Sequence, residues 1–105
     1  MTDLLELREY QIKPGKLTAF LQLMTDTILP YQRQQGMDVV FTSHWRDEQG
    51  QDWFIWQRRY RDEAHRLKLF ERVYNDWWIE QIRPQVFELI EADAVRVRLL
   101  TPTNS

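Results

Sequence analysis

The sequence contains no cysteine among its 105 residues. Disulfide bridges, thiolate zinc sites and cysteine nucleophiles are therefore excluded. Glycine occurs three times and proline four times, and no segment is low in complexity, so no stretch is a candidate for a flexible linker. We expect a chain of this kind to form a single domain over residues 1–105, with a loose tail at 101–105.

An excess of basic residues is also missing. Fourteen Lys and Arg residues stand against sixteen Asp and Glu residues, which gives a formal net charge of −2. Proteins that bind nucleic acids normally carry a basic surface, so we expect no nucleic-acid partner. Arginine supplies eleven of the fourteen basic side chains, and its planar guanidinium suits fixed ion pairs and anion contacts. The alternative explanation for the high proportion of arginine is ordinary surface salt bridges.

Long hydrophobic runs are absent as well. No apolar segment approaches the roughly 20 residues that a helix needs to cross a bilayer. The chain opens with Met1-Thr2-Asp3, which lacks the basic residues of a targeting peptide. These features predict a cytoplasmic protein without a membrane span.

Hydrophobic periodicity predicts a strand and then a helix in the first part of the chain. Polar and apolar residues alternate over 4–12, and Pro14-Gly15 ends this strand. Pro30 is expected to kink or end the helix that follows, because it cannot donate to the carbonyl of Asp26, and Gly36 is a natural stop. The helix is indicated by apolar residues at steps of three and four, namely Leu17, Phe20, Leu21, Met24, Ile28 and Tyr31.

Two strands, a second helix and a last strand complete the predicted order. The strands span 37–45 and 51–60 around a hairpin loop at 47–50. Asp62 is the expected N-cap of the second helix, Asn75-Asp76 is expected to divide it, and Pro84 limits its second piece. Its apolar stripe is predicted to consist of Leu67, Phe70, Tyr74 and Trp77. The last strand, 94–100, is expected to turn Val95, Val97 and Leu99 to one face and Arg96 and Arg98 to the other.

This order is that of the ferredoxin-like α+β plait, in which two helices cover one face of a four-stranded antiparallel sheet. The third strand is apolar on both sides, with Trp53 and Ile55 on one and Phe54, Trp56 and Tyr60 on the other. A face so rich in aromatic side chains is not expected to stay in water. We therefore expect a second copy of the chain to cover it, giving a homodimer that encloses a barrel interior. A monomer with a shallow open groove is the alternative.

Several segments carry a resemblance to a known family. Residues 6–16 read Glu6-Leu7-Arg8-Glu9-Tyr10-Gln11-Ile12-Lys13-Pro14-Gly15-Lys16, which closely resembles the opening motif of the NIPSNAP family. The likeness continues in order through Leu29-Pro30, Gly36-Met37, Arg58-Arg59-Tyr60-Arg61-Asp62-Glu63-Ala64-His65-Arg66, Tyr74 with Trp77 or Trp78, Arg83-Pro84 and Leu99-Leu100-Thr101-Pro102. It implies a dimeric α+β barrel built from ferredoxin-like units.

The resemblance implies less about activity. Animal members of the family are associated with mitochondria and with vesicle or membrane biology, whereas the short bacterial members are mostly uncharacterised. This chain, without a targeting extension, resembles the bacterial single-domain members. Proteins that share the barrel fold include cofactor-free monooxygenases, haem-binding enzymes and small-molecule isomerases or dehydratases, and this likeness is an analogy of fold alone.

Polar side chains on the predicted sheet form the main candidate site. Glu6, Arg8 and Tyr10 share one side of the first strand and are expected to face away from the helices, into the barrel. An arginine there would clamp a carboxylate or enolate oxygen, and Tyr10 or His44 would carry a proton. The predicted ligand-binding residues are Arg8, Tyr10, His44, Trp56, Arg58 and Arg96.

Two kinds of function remain open for this site. One is a small-molecule binding protein, including a cofactor-independent enzyme of the monooxygenase or isomerase type. The other is a non-catalytic interaction module, in which the same side chains form an ion-pair network that only stabilises the fold. No catalytic residue is assigned.

Other sites have weaker support. His65 lies in a charged first helical turn, where a capping or solvated side chain explains it better than a haem ligand does. The two histidines are far apart in the sequence, so neither a metal site nor a cofactor is expected. Ser43 adjoins His44 on a strand and points to the opposite face, which argues against a catalytic triad. A helix cap followed by core aromatics explains Asn75-Asp76-Trp77-Trp78.

Overall fold

Four antiparallel strands form one sheet in the computed structural model, which describes residues 3–103. The strands are β1 (Leu4–Ile12), β2 (Asp38–Arg46), β3 (Asp52–Tyr60) and β4 (Arg96–Leu100), and their order in the sheet is β2-β3-β1-β4. Helices α1 (Leu17–Leu23) and α2 (Leu29–Gln34) join β1 to β2, and α3 (Glu63–Val73) and α4 (Arg83–Leu89) join β3 to β4. The predicted ferredoxin-like α+β plait is confirmed. No helix within residues 3–103 is long and apolar enough to span a membrane.

Each helical connection contains a π-helical turn shortly before a proline. Met24–Ile28 lies between α1 and α2, and Trp78–Ile82 precedes α4. Pro30 and Pro84 lie in the first turn of the α-helix that follows, where a missing N–H breaks no intrahelical hydrogen bond. Pro30 therefore does not end the first helix, because the wider turn before it accommodates the proline and the chain stays helical to Gln34.

The predicted helix signals agree with the structure. Gly36 adopts a φ of +102°, which favours glycine, directly after the first helical connection. Asp62 accepts a hydrogen bond of 2.8 Å from the backbone N–H of His65 at the start of α3. Asn75 divides the second helical connection, since its Oδ1 accepts a bond of 3.0 Å from the N–H of Trp78. Local polar side chains thus fix where these helices begin.

The apolar core lies between the sheet and the helices. It includes Phe20, Met24, Ile28, Trp78 and Ile82 from the helical layer, against Tyr10, Ile12, Phe54 and Trp56 from the sheet. The stripe predicted for α3 is partly wrong, because Leu69 and Val73 are buried whereas Leu67 and Trp77 are exposed. Helix α3 ends at Val73, and the break at Asn75 interrupts its periodicity. Residues up to Trp77 therefore do not continue one helical face.

The last strand is shorter than predicted. It begins at Arg96, since Ala92–Ala94 forms a 3-10 turn and Val95 precedes the strand. The predicted alternation holds within it: Val97 pairs with Arg8 and Arg98 pairs with Leu7 across the β1–β4 ladder, so the two lie on opposite sides of the sheet.

The two leucines of α3 provide a test of the packing. Leu69 is 5% exposed and Leu67 is 52% exposed. We expect Leu69→Ala to lower the free energy of unfolding by roughly 2–5 kcal/mol, because it leaves a cavity in the core. Leu67→Ala is the matched control, with an expected change within about 0.5 kcal/mol. Urea denaturation followed by circular dichroism measures both, and equal losses would contradict the orientation of α3.

Candidate functional site

The side chains of Glu6, Arg8 and Tyr10 on β1 face the helices. Glu6 pairs with Arg58 of β3, and the ring of Tyr10 lies 6.2 Å from that of Phe20 in α1. The expectation that Glu6, Arg8 and Tyr10 line the space beyond the open face is therefore wrong. The side chains of Leu5 and Leu7 occupy the open face instead. Polar groups can lie under the helices here because each of them has hydrogen-bonding or charged partners.

A buried ion pair lies at the centre of this polar cluster. The side chains of Glu6 and Arg58 are both fully buried. Arg58 Nε donates to Glu6 Oε1 over 2.8 Å, and Arg58 Nη2 lies 2.6 Å from the same oxygen, outside good hydrogen-bond geometry. The hydroxyl of Tyr60 donates to this oxygen over 2.9 Å. A buried pair of this kind depends on all of these partners, because each charge has lost its water.

The second carboxylate oxygen of Glu6 faces two further arginines. Arg8 Nη1 lies 3.2 Å from Oε2 and Arg66 Nη1 lies 3.7 Å from it. Arg66 also contacts Glu63, over 2.8 Å. Three guanidinium groups therefore share two carboxylates, and the cluster carries one positive charge in excess.

Arg58 is held by several neighbours through Nε and Nη1. Its Nη1 donates to Gln32 Oε1 over 2.8 Å and to the hydroxyl of Tyr74 over 2.6 Å. Its guanidinium also lies 4.6 Å from the ring centre of Trp56, a favourable cation–π distance. These contacts connect β1, β3, α2 and the end of α3, which indicates a structural role for Arg58.

The cluster shifts the pKa values of its members. Burial acts to raise the pKa of Glu6, but the positive charges of Arg58 and Arg8, together with hydrogen bonds from Arg58 and Tyr60, outweigh it and hold that pKa below its ordinary value. Burial raises the pKa of Tyr60, and its hydrogen bond to Glu6 adds to this effect. The carboxylate is thus ionised and the phenol neutral at neutral pH.

A cavity of about 430 Å³ lies beside the cluster, between the sheet and both helical connections. Arg8 lies in its wall with 21% of its side chain exposed. Arg83 adds a second cation at an exposed position, and none of the lining residues in the described part of the chain is acidic. Seven aromatic residues form much of the wall: Tyr10, Phe20, Trp56, Phe70, Tyr74, Trp78 and Phe87.

One buried donor in this wall lacks a partner. The indole Nε1 of Trp56 makes no hydrogen bond within residues 3–103. A buried N–H left in this state costs about 1–3 kcal/mol, so it points to a group that the protein itself does not supply. Arg8 is close by in the ladder, since it pairs with Trp56 across β1 and β3. The cavity therefore offers a cation and a neutral donor on adjacent strands.

The structure brings together four of the six predicted ligand-binding residues. Arg8, Tyr10 and Trp56 line the cavity, and Arg58 lies behind them in the ion-pair cluster. His44 does not join them: it lies exposed on β2 and is not a lining residue. Arg96 lies on the open face, 4.9 Å from the ring centre of Trp53, and does not join them either. The alternation of β4 places Arg96 on that side.

Sequence reasoning missed Gln32 as a partner of the cluster and assigned Tyr74 only to the apolar stripe. Gln32 is fully buried, one helical turn after the buried Ile28. A polar residue that continues an apolar helical stripe is the signal that identifies such a position. Tyr74 gives no comparable signal, because a tyrosine in a stripe is typical of an ordinary core.

The remaining candidate residues have local roles. His65 Nδ1 accepts a hydrogen bond of 3.0 Å from the N–H of Arg61, and His65 does not line the cavity. Asn75 caps a helical turn, and Trp78 belongs to the core and the cavity wall. No group of three or more His, Asp or Glu residues forms a metal-binding arrangement in the part of the chain that is described.

Comparison with known proteins identifies the family. The sequence pattern of NIPSNAP matches residues 5–105. The chain belongs to the NIPSNAP family. An uncharacterised NIPSNAP domain protein from Burkholderia xenovorans has a similar structure, with a TM-score of 0.77 and 25% sequence identity over 95% of this chain and 94% of that one. No curated protein matches the chain by sequence.

Two further structures share the fold of this NIPSNAP chain. A NIPSNAP family protein from Agrobacterium tumefaciens has a TM-score of 0.73 and 23% identity over 97% of this chain and 94% of that one. A second protein from that organism, of unknown function, has a TM-score of 0.71 and 20% identity over 95% of this chain and 87% of that one. The family is thus established by the match, whereas the activity has to be inferred from the cavity.

Glu6→Gln tests the ion-pair cluster. We expect it to lower the free energy of unfolding by roughly 3–5 kcal/mol at pH 7, because Arg58 stays buried without its counter-charge. Glu63→Gln is the matched control, since Glu63 is a half-exposed partner of Arg66, and its expected cost is below about 1 kcal/mol. Urea denaturation at pH 7 measures both variants, and a Glu6→Gln protein as stable as the control would contradict the central role of the pair.

The same variant tests the pH dependence. The folded-state pKa of Glu6 lies below its unfolded value, so its contribution to stability is complete above the unfolded pKa and is lost as pH falls towards the folded pKa. Stability of the wild type is therefore expected to decline below about pH 5, with a shallower decline in Glu6→Gln. Parallel curves for the two proteins would show that Glu6 titrates normally.

Proposed function

We propose that this NIPSNAP protein binds a small organic acid with an apolar or aromatic body in the cavity beside Glu6. The observation that carries the proposal is the guanidinium of Arg8 in an aromatic wall, next to the unpartnered N–H of Trp56. A carboxylate on the ligand would pair with the excess positive charge of the cluster. The apolar part of the ligand would lie against the aromatic side chains.

The size and lining of the cavity support a ligand of this class. A volume of about 430 Å³ lies within the range of roughly 300–1,000 Å³ that is typical of small-molecule sites. Such sites combine an apolar lining with a few polar groups that orient the ligand. Arg8 and Arg83 give this cavity a positive potential, which favours anions and disfavours amines.

The alternative, an ion-pair network that only stabilises the fold, accounts for Arg58 but not for the cavity. Arg58 donates to protein acceptors on several elements and is fully buried. Arg8, by contrast, is partly exposed to the cavity, and Trp56 keeps an unused donor. We therefore assign stability to the Glu6–Arg58 pair and ligand binding to the wall beside it.

Binding of phenylacetate tests this proposal, with its neutral isostere phenylacetamide for comparison. Arg8→Gln is expected to weaken phenylacetate binding by roughly tenfold to a hundredfold, because a charge-assisted hydrogen bond is lost. Arg96→Gln is the matched control and is expected to leave binding unchanged, since Arg96 lies on the open face. Isothermal titration calorimetry or NMR titration gives the dissociation constants.

Two results would contradict the proposal. One is equal affinity for phenylacetate and phenylacetamide, which would show that the cavity does not select an anion. The other is failure of every acid in a panel of aromatic and aliphatic carboxylates to bind the wild-type protein.

We also propose that two copies of the chain associate through the open face of the sheet. This face carries the exposed aromatic side chains of Phe41 and Trp45, and exposed Leu100 lies at its β4 edge. Glu9 and Arg96 on the same face provide both signs of charge. A surface with apolar groups and both charges can complement itself about a two-fold axis, which supports a homodimer.

The exposed residues differ in part from those that the sequence indicated. Trp53 lies on the open face but is buried within its own chain, beneath Arg96 and bonded through Nε1 to Asp47 over 2.9 Å. Phe41 and Trp45 of β2 supply the exposed aromatic surface instead. The proposed dimer therefore depends mainly on β2 and on the edge of β4.

Phe41→Glu tests the dimer. We expect the variant to sediment as a folded monomer, because a carboxylate on the apolar face opposes its burial in the interface. Leu67→Glu on the exposed side of α3 is the control and is expected to keep the wild-type mass. Analytical ultracentrifugation at micromolar concentration measures the mass, and a monomeric wild type would refute the dimer.

A further inference from the structure

The orientation of the Gln32 side-chain amide is fixed by its neighbour. Arg58 can only donate hydrogen bonds, so the atom of Gln32 that lies 2.8 Å from Arg58 Nη1 must be the oxygen, Oε1. The amide nitrogen, Nε2, then points to the hydroxyl of Tyr74, which lies 3.3 Å away. Gln32 is therefore a donor to Tyr74.

The hydroxyl of Tyr74 consequently accepts two hydrogen bonds. One comes from Gln32 Nε2 over 3.3 Å and the other from Arg58 Nη1 over 2.6 Å. A phenol oxygen has two acceptor positions and one proton, so both acceptor positions are filled and the proton needs an acceptor elsewhere. Burial raises the pKa of Tyr74, with the charge of Arg58 opposing it, and the proton is retained. The Tyr74 hydroxyl donates no hydrogen bond within residues 3–103.

The hydroxyl of Tyr10 is in a similar position. It lies 2.8 Å from Arg8 Nε, which can only donate, so the Tyr10 oxygen is the acceptor of this bond. Among the described residues, the Tyr10 hydroxyl donates no hydrogen bond. Both tyrosines line the cavity, as does Trp56, whose indole group is a donor only.

Tyr74 and Trp56 thus present hydrogens and no unused acceptor position to the cavity, and Tyr10 presents a proton beside one unused acceptor position. From this arrangement we propose that Tyr10 and Tyr74 are specificity-determining residues that donate their hydroxyl protons to an oxygen anion of the ligand. The proposal rests on the proposed function and narrows it. The ligand would present a carboxylate, enolate or phenolate oxygen that carries no hydrogen of its own. Amides, alcohols and amines would be disfavoured, since their N–H or O–H groups would meet more donors than acceptors there.

Phenylalanine variants test the role of the two hydroxyls. Tyr74→Phe and Tyr10→Phe are each expected to weaken phenylacetate binding by roughly tenfold or more, because each removes a hydrogen bond to a charged oxygen. Tyr31→Phe is the matched control, since the Tyr31 hydroxyl donates to the backbone carbonyl of Val73 and Tyr31 does not line the cavity. Its expected affinity for phenylacetate equals that of the wild type.

A chromophoric phenol gives a second measurement that needs no variant. A cavity whose polar groups mainly donate is expected to bind 4-nitrophenol as its phenolate, so the absorbance of the phenolate should appear at a lower pH with the wild-type protein than in buffer. This readout remains decisive if Tyr74→Phe does not fold. Binding of the neutral phenol, with its ionisation unshifted or suppressed, would overturn the proposal.

The outcomes separate this inference from the proposed function. If phenylacetate binds the wild type and both folded variants equally well, the donor role of the tyrosines is refuted and the organic-acid site stands. If no carboxylate and no phenolate binds the wild type, both proposals fall. Loss of affinity in Tyr74→Phe and Tyr10→Phe, with Tyr31→Phe unchanged, supports both.

Discussion

Burial of the Glu6 carboxylate beneath the helices is the constraint on which the site depends. A charge removed from water is tolerated only when other groups replace its solvent. Arg58 and Tyr60 do so at one oxygen, and Arg8 and Arg66 lie at the other. Because these side chains come from β1, β3 and α3, the ion pair also fixes how the sheet and helices meet.

The same constraint determines the chemistry of the cavity. Arg58 needs acceptors beyond Glu6, and it finds them in Gln32 and Tyr74. These bonds occupy the lone pairs of Tyr74 and leave its proton for another acceptor. Arg8 is held at the cavity wall by Glu6 and Tyr10. Stability and recognition therefore share side chains, so a change in Glu6 is expected to affect both.

Much of the fold is predictable from periodicity and from helix-capping residues. The strand at Leu4–Ile12 and the caps at Asp62 and Asn75 follow from local sequence. The local sequence does not reveal that Glu6 faces the helices. Apolar residues are expected to point inward, and Leu5 and Leu7 lie on the other side of the strand. Only the register that pairs Glu6 with Arg58 shows that the polar side is satisfied under the helices.

The site was partly predictable for a related reason. Polar and aromatic residues on strands can be selected from the sequence, and this selects Arg8, Tyr10, Trp56 and Arg58. It also selects His44 and Arg96, which are polar residues on strands but lie away from the cavity and the ion-pair cluster. The ionisation of Glu6 tests the account most directly. An NMR titration of its side-chain carboxyl carbon is predicted to give a pKa below the ordinary glutamate value of about 4.3. A pKa at or above that value would contradict the account, because a carboxylate surrounded by three arginines cannot take up a proton so readily.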